Sequence, residues 1–398
     1  MNQRLTFVLF ALAVTPVGVL AATSWNHGGG AGPAIGADVK VSALPDLHRW
    51  GRVGTVSSFN LGTTVCNIGD EIIPWVASTN HHPAIINNLY RLKDGRFEQV
   101  GMGWVKHGFF STNSDGCGTC QDPGSGSLLG LGCSDTYSAI LNGDQSRLGP
   151  RSDVNAFTGV FPYPPTLNSG TGRLSGRVQI QDGDLDPGLN PGAKYFFEGH
   201  YVVLEDAQDG NGDNNASHRR VRVTGTAPNW TLDFDGQPVQ QRPALEAWRD
   251  NDPSVVITEL RVPGEGRFLL GYNAYDNGDG TWSYEYALYN QNSDRSARGF
   301  AVPVPSGASV TSPGFHDVDY HSGEVYDGAD WQYKLARGHA AWFTSAYAAN
   351  PDANALRWGT IYNFRVTCDR PPGPSVLQVG LFKPGTPKRL TVAAIGPN

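Results

Sequence analysis

Glycine and proline do most to limit what this 398-residue chain can fold into. The sequence contains 50 glycines and 27 prolines. Inside a helix, glycine costs about 1 kcal/mol and proline about 3 kcal/mol relative to alanine, so long helices are excluded. Short strands joined by tight turns and long loops suit this composition, and Asp94-Gly95 lies between two strand-like runs as in a β-hairpin. We therefore expect an all-β, antiparallel protein.

The first residues predict where the protein works. Residues 1–21 contain one charge, Arg4, then an apolar run from Leu5 to Leu20 and a small-residue cleavage pattern that ends at Ala21. This pattern is typical of a secretory signal peptide, so we expect a secreted or periplasmic protein after cleavage near Ala21. No later segment is long and apolar enough to cross a membrane. The net charge of −7, without a lysine and arginine cluster, disfavours nucleic acid as a partner.

Changes in local pattern divide the rest of the chain. Residues 22–36 are interpreted as a flexible leader, and residues 37–240 as a loop-rich β domain that contains disulfides. A short helical pattern over residues 243–249 marks the boundary near residue 240. Regularly spaced short strands predict an antiparallel β-sandwich, immunoglobulin-like or jelly-roll, for residues 241–398.

Three segments carry a resemblance to known proteins. They are GCSDTYSAILNGDQSRLGPRSDVNAFTGVFPYP (132–164), YEYALYNQNSDRSARGFAVPVP (284–305) and ANALRWGTIYNFRV (353–366). The chain resembles uncharacterised secreted β-rich proteins of environmental bacteria over most of its length beyond the signal. The resemblance implies an extracytoplasmic β-rich fold, and it transfers no activity and no site residues.

The cysteines predict disulfides. Cys66, Cys117, Cys120 and Cys133 are expected to form two bridges that staple the glycine-rich segment, with Cys368 left over. A zinc site built from Cys117, Cys120, Cys133 and His107 is the alternative. The residues after Cys120 are a poor helix, which argues against a thioredoxin-like role for the Cys-Gly-Thr-Cys motif.

Three histidines form a candidate transition-metal site. His81 and His82 precede the Asp94-Gly95 hairpin, and His107 follows it. Three imidazoles suit copper or zinc, and a histidine pair with a third histidine is similar to one copper site of peptidylglycine monooxygenases. The second copper site of that family uses His-x-His and a methionine, and the chain has no His-x-His. Surface or hydrogen-bonded histidines are the other interpretation.

Asp317, Asp319 and His321 form the candidate catalytic site. If residues 316–321 were a strand, these three side chains would share one face. That row would bind a divalent cation or place a carboxylate beside an imidazole for general base catalysis. A solvated loop is the alternative, since Glu324, Asp327 and Asp330 follow directly.

Two acidic segments predict calcium. Asp209, Asn211, Asp213 and Asn215 alternate with glycines or asparagine, and Asp182, Asp184 and Asp186 repeat the two-residue spacing. Calcium takes six to eight oxygen ligands from a backbone that curls round the ion, and one shared site would join both segments. Neither segment has the glutamate of an EF-hand loop, and ordinary Asx turns explain the same pattern.

These features favour a binding protein. The expected function is a secreted β-sandwich protein that binds an extracellular glycan or cell-envelope component, braced by disulfides and calcium. One alternative is a copper- or zinc-dependent extracellular oxidoreductase or hydrolase. A structural surface or matrix protein is the other. No complete catalytic motif decides whether the chain is an enzyme.

Overall fold

The computed structural model describes residues 36–144, 148–167 and 172–398. The predicted signal peptide, and all of the predicted leader except Gly36, lie outside the described residues. Within the described part, 26 strands and four short helices confirm the all-β prediction.

Strands make up most of the regular structure from one end of the described chain to the other. The first 16 strands are β1 (Val39–Ala43), β2 (Leu47–Val53), β3 (Val56–Leu61), β4 (Thr63–Asn67), β5 (Ile73–Pro74), β6 (Ala84–Lys93), β7 (Arg96–Met102), β8 (Val105–His107), β9 (Ser114–Asp115), β10 (Leu128–Leu129), β11 (Cys133–Tyr137), β12 (Leu148–Gly149), β13 (Val178–Gln181), β14 (Lys194–Val202), β15 (Ala216–Thr226) and β16 (Asn229–Phe234). The remaining strands are β17 (Val256–Arg261), β18 (Arg267–Asp276), β19 (Trp282–Asn290), β20 (Ala297–Pro303), β21 (Val310–His316), β22 (Gln332–Ala336), β23 (His339–Phe343), β24 (Thr360–Cys368), β25 (Pro372–Leu381) and β26 (Arg389–Pro397). The helices are α1 (Ala139–Gly143), α2 (Asp182–Leu185), α3 (Leu204–Gln208) and α4 (Glu246–Asn251), and Arg151–Asp153 form a 3₁₀ turn.

The first 16 strands build a nearly closed sheet with two smaller sheets. The large sheet has the order β16-β15-β14-β6-β7-β13-β3-β2, with β8 and β12 attached beside β6. Its two edge strands come close together: Arg49 of β2 donates a hydrogen bond at 2.5 Å to the carbonyl of Pro228, the residue before β16. The strands β1-β4-β11-β9 form a four-stranded sheet, and β10 pairs with β5. A continuous apolar core lies between these sheets.

The last ten strands form a β-sandwich. One five-stranded sheet has the order β17-β18-β19-β24-β21, and the other has the order β22-β23-β20-β25-β26. Side chains alternate between inside and outside with the two-residue period of a strand, most clearly along β26. The facing sheets enclose an aromatic core in which the rings of Phe300 and Phe364 stack at 4.4 Å. This confirms the sandwich-like architecture that the strand spacing predicts.

A shared apolar cluster joins the sheets formed by β1–β16 to those formed by β17–β26. Among the described strands, β1–β16 pair with one another and β17–β26 pair with one another. Between them lies a third apolar cluster, to which Phe97 and Phe196 contribute from one side and Leu269 and Tyr289 from the other. Leu245 and α4 pack into this cluster, which explains the helical pattern near residue 243.

Two disulfides clamp the irregular glycine-rich segment, as the cysteine spacing predicts. Cys66 bonds to Cys117, Cys120 bonds to Cys133, and Cys368 is a buried free thiol. The zinc alternative at Cys117, Cys120 and Cys133 is therefore wrong, because all three sulfur atoms are consumed in disulfides. Disulfides of this kind suit an extracellular or periplasmic protein. None of the helices in the described ranges has the length and apolar character that crossing a membrane requires.

Candidate functional site

A cavity of about 640 Å³ opens where the nearly closed sheet meets the chain after β21. One wall is formed by Gln99 of β7 and by Gln179 and Gln181 of β13, and the other by residues 316–330. Gln179 accepts from the Ser322 amide at 3.1 Å and donates to its hydroxyl at 2.8 Å. These bonds fasten the loop to the sheet and keep the cavity in shape.

The predicted catalytic residues line this cavity, although the conditional strand over residues 316–321 is wrong. Strand β21 ends at His316, and Asp317, Asp319 and His321 lie in the loop that follows. The side chains of this segment form hydrogen bonds with a distant part of the chain instead of continuing along the sheet. The Asp317 carboxylate accepts from the Asn354 amide, and the Tyr320 hydroxyl donates to the Ala355 carbonyl at 2.5 Å. The chain therefore leaves the sheet one residue after His316 pairs with β24.

Carboxylates are the most numerous titratable groups of the cavity wall. Five of its lining residues are acidic, namely Asp184, Asp317, Asp319, Glu324 and Asp330. Lysine and arginine are absent from the described residues that line it. Burial raises the pKa of Asp317 to about 6; the hydrogen bond from Asn354 and the His316 charge oppose this shift, and the Asp330 and Asp319 charges add to it. A carboxyl group with such a pKa is able to donate a proton near neutral pH.

His321 is held too firmly to act as a base in this conformation. Its Nδ1 accepts from the Gly323 amide at 3.0 Å, and its Nε2 donates to the Leu174 carbonyl at 3.3 Å. The ring stacks on Trp104 with the centroids 5.0 Å apart. Burial lowers the pKa of His321 to about 3. The ring therefore supports the loop, and the exposed chemistry of the cavity comes from its carboxylates and amides.

The structure brings together only part of the predicted copper or zinc site. The rings of His82 and His107 lie 5.3 Å apart, whereas Nδ1 of His81 contacts a Glu205 carboxylate oxygen at 2.6 Å. His107 is fully buried and packs against Phe161 at a centroid distance of 4.7 Å. Across the described residues, no three histidine, cysteine, aspartate or glutamate side chains converge as a metal site. A copper or zinc site at these histidines stays a prediction.

In the predicted calcium segment at Asp182, Asp184 and Asp186, arginine side chains pair with two of the three carboxylates. Asp182 pairs with Arg52 and accepts from Ser57 at 2.6 Å. Asp184 pairs with Arg91 at 2.8 Å. Asp186 accepts from the Gly188 amide at 2.8 Å, as in an Asx turn. Arg52 and Arg91 already balance the charge of two of these carboxylates, and the hydrogen bonds occupy oxygen lone pairs that a calcium ion would coordinate.

The other predicted calcium segment, residues 209–215, forms ion pairs and hydrogen bonds with distant parts of the fold. Asp213 pairs with Arg261 of β17 and with Arg267 of β18. Asp209 accepts from the Ala37 amide at 2.7 Å, Asn211 donates to the Ala37 carbonyl at 2.8 Å, and Asn215 donates to the buried Asp206 at 2.7 Å. The two segments bind different partners, and calcium at either one stays a prediction.

Several cavity residues carry no signal in the sequence. Gln99, Gln179, Gln181, Tyr320 and Tyr326 line the cavity, but no motif singles them out. Strand β13 brings its two glutamines to the cavity by pairing with both β3 and β7. Alternation within β13 predicts which side chains share a face, but only the long-range register reveals what that face meets.

Buried neutral histidines make stability depend on pH, and His200 offers the clearest test. Burial lowers the pKa of His200 to about 3, the nearby Arg151 and Arg267 charges act in the same direction, and Asp213 opposes them. Because an unfolded histidine titrates near pH 6.5, the unfolded chain gains a proton between pH 6.5 and pH 3 that the folded protein does not. We expect wild-type stability to fall by about 2 kcal/mol more than that of His200→Leu between pH 7.5 and pH 5.0. Urea unfolding at both pH values measures this difference.

The matched control for His200 is Val202→Ala on the same strand. Val202 is buried in the cluster that contains Trp358, the ring against which His200 packs. Its substitution removes apolar contacts without removing a titrating group, so its cost should be the same at both pH values. Equal pH dependence in wild type and His200→Leu would contradict the prediction.

Comparisons with known proteins assign no family. No family model and no curated protein sequence matches the chain. Among solved structures, the chain is similar to an exo-chitosanase of Amycolatopsis orientalis, with 10% identity, a TM-score of 0.20, and coverage of 85% of this chain and 25% of the enzyme. It is similar to the N-terminal domain of the Streptococcus gordonii adhesin Sgo0707 (6% identity, TM-score 0.21), covering 86% of this chain and 61% of that one. It is also similar to a serine-rich repeat adhesion glycoprotein of Streptococcus agalactiae (8% identity, TM-score 0.20), covering 85% and 89%. The chain thus spans less than two thirds of the first two structures, and TM-scores this low give no basis for assigning a fold family or a function.

Proposed function

We propose that this protein is a secreted binding protein whose ligand is an extracellular glycan held in the 640 Å³ cavity. The polar character of the cavity wall carries the proposal. Glutamine amides, carboxylates and the Ser322 hydroxyl are donors and acceptors that match the hydroxyl groups of a sugar. The volume lies within the range of about 300–1,000 Å³ that small-ligand sites occupy.

Two tyrosines supply the apolar surface that a sugar ring also needs. Tyr320 and Tyr326 line the cavity with their ring centroids 5.1 Å apart. The Tyr320 hydroxyl is fixed by bonds to the Ala355 carbonyl and to Tyr362. Rings held in this way offer a preorganised surface, which lowers the entropy cost of binding.

Secretion forms part of the proposal. The signal peptide predicted over residues 1–21 supports it, and the two disulfides suit an oxidising compartment. The protein would then belong with the secreted β-rich bacterial proteins that its sequence resembles.

Asp319→Ala tests the site. Asp319 is exposed at the cavity and accepts one hydrogen bond from Gln181 at 3.0 Å, so its loss should leave the fold intact. A hydrogen bond to a charged acceptor contributes about 1.5–3 kcal/mol, so we expect the Kd to rise roughly tenfold or more. An array of neutral, aminated and sulfated oligosaccharides identifies the ligand, and calorimetry with wild type and variant measures the change.

The matched control is Asp233→Ala, since Asp233 is an exposed carboxylate of β16 that does not line the cavity. Its Kd should equal that of wild type. The proposal fails if wild type binds no oligosaccharide, or if Asp319→Ala binds as tightly as wild type.

A further inference from the structure

The charge of the cavity wall restricts its ligand further than its hydrogen-bonding groups do. Two of the five acidic residues are already satisfied by the protein. Asp184 pairs with Arg91 at 2.8 Å. Glu324 accepts from the backbone amides of Arg151 at 2.5 Å and Ser152 at 3.3 Å. The Arg91 charge balances that of Asp184, and the charge of the buried Arg151 side chain opposes the rise in the pKa of Glu324 that burial causes, so neither carboxylate needs a charge from a ligand.

The other three carboxylates have no lysine or arginine partner among the described residues, and His316, which also lines the cavity, opposes the rise in the pKa of Asp317. Within the described ranges, Asp317, Asp319 and Asp330 form no ion pair with a lysine, arginine or histidine. Asp317 and Asp319 each accept from a neutral amide, that of Asn354 and that of Gln181 respectively. An amide satisfies lone pairs of a carboxylate but leaves its charge in place.

The shape of the site strengthens the field of these charges. Burial raises the pKa of Asp317, the nearby Asp330 and Asp319 charges add to the rise, and Asn354 and His316 oppose it. Like charges that line a cleft with low-dielectric walls concentrate a negative potential inside it. Repulsion within the group is a cost that a bound cation removes, and an anionic ligand would increase that cost.

We infer that the bound glycan carries free amino groups, and that an ammonium group lies among Asp317, Asp319 and Asp330. The inference rests on the proposed function, since it names the class of glycan for the same cavity. The glutamines and tyrosines of the wall contact the sugar, and the three aspartates select the charged substituent. A neutral sugar of the same shape fills the cavity without balancing these charges.

A matched ligand pair tests this inference. The probes are a β-1,4-linked glucosamine oligomer and its fully N-acetylated form of the same length, titrated into the full protein at pH 6.0. A hydrogen bond to a charged group contributes about 1.5–3 kcal/mol to binding, which corresponds to a roughly tenfold or larger change in Kd. We therefore expect the amine form to bind at least tenfold more tightly than the acetylated form. The preference should shrink as sodium chloride rises from 50 to 300 mM, because salt screens exposed charges.

Charge-only variants locate the preference. Asp319→Asn and Asp330→Asn keep the shape of each side chain, so each should reduce the preference for the amine form and leave binding of the acetylated form nearly unchanged. Asp233→Asn, remote from the cavity, should keep the full preference. Spermidine is included as an amine without a sugar, and it should bind more weakly than the glucosamine oligomer.

The outcomes separate the two proposals. Equal affinity for both oligomers, or a preference that survives Asp319→Asn and Asp330→Asn, overturns the amine inference and leaves glycan binding standing. Spermidine binding as tight as that of the glucosamine oligomer also overturns it, because the amine alone would then suffice. Binding of neither oligomer, together with no binding to any glycan on the array, overturns the proposed function itself.

Discussion

Arg151→Met is expected to lower the free energy of unfolding by about 3–5 kcal/mol, because several buried acceptors would lose a charged donor. Arg151 is 1% exposed. Its guanidinium donates to the Gly103 carbonyl at 2.8 Å, the Asn88 side chain at 2.7 Å and the Gly359 carbonyl at 3.1 Å. Methionine keeps the length of the side chain but leaves these buried acceptors without a donor, and each costs about 1–3 kcal/mol.

The position of these acceptors makes the loss larger than that of a local contact. Asn88 lies in β6 and Gly103 directly follows β7, both strands of the large nearly closed sheet, whereas Gly359 precedes β24 of the sandwich. Arg151 therefore links the two sets of sheets, so its loss weakens their junction as well as its own turn. Urea unfolding followed by tryptophan fluorescence measures the change.

Arg222→Met is the control for Arg151. Arg222 is an exposed residue of β15, and exposed substitutions of this kind usually change stability by no more than about 0.5 kcal/mol. A loss below about 1 kcal/mol for Arg151→Met would show that water satisfies the freed acceptors and would refute a joining role for this network.

Local features of the fold were predictable because short-range chemistry determines them. The Asp94-Gly95 turn joins β6 to β7, and both residues adopt the positive φ that a two-residue hairpin requires, 50° and 73°. The alternation of β26 similarly reveals its buried face. In each case the physical cause lies within a few residues of its effect.

The cavity and the partners of the acidic segments depend on distant residues. Asp182 fits a calcium loop in sequence, but Arg52, which lies 130 residues away, pairs with it. Asp317 fits the alternation of a strand, but Asn354 withdraws it from the sheet. Neither Arg52 nor Asn354 is close in sequence to the aspartate that it binds. Sequence spacing therefore identifies suitable residue types but does not predict how they are arranged.

Replacing Cys66 and Cys117 together by alanine should lower the free energy of unfolding by about 4 kcal/mol. The bond closes a loop with a sequence separation of 51 residues. In the chain-entropy model, opening such a loop in the unfolded state costs stability that grows with loop length. The Cys120→Ala and Cys133→Ala pair is the matched comparison, because it opens a loop of separation 13 and should cost about 3 kcal/mol. Chemical unfolding of the oxidised protein and of both double variants measures the two losses.

The location of these disulfides allows a second readout. Cys66 is in β4 and Cys133 is in the neighbouring strand β11, and no cysteine lines the cavity among the described residues. A variant without the Cys66–Cys117 bond should therefore become sensitive to proteases within residues 108–132 while glycan binding at low temperature is unchanged. Loss of binding before loss of structure would instead couple the clamped segment to the cavity.

A smaller loss of stability for the Cys66 and Cys117 pair than for the Cys120 and Cys133 pair would contradict the loop-entropy argument. It would mean that contacts in the folded state set the contribution of these bonds.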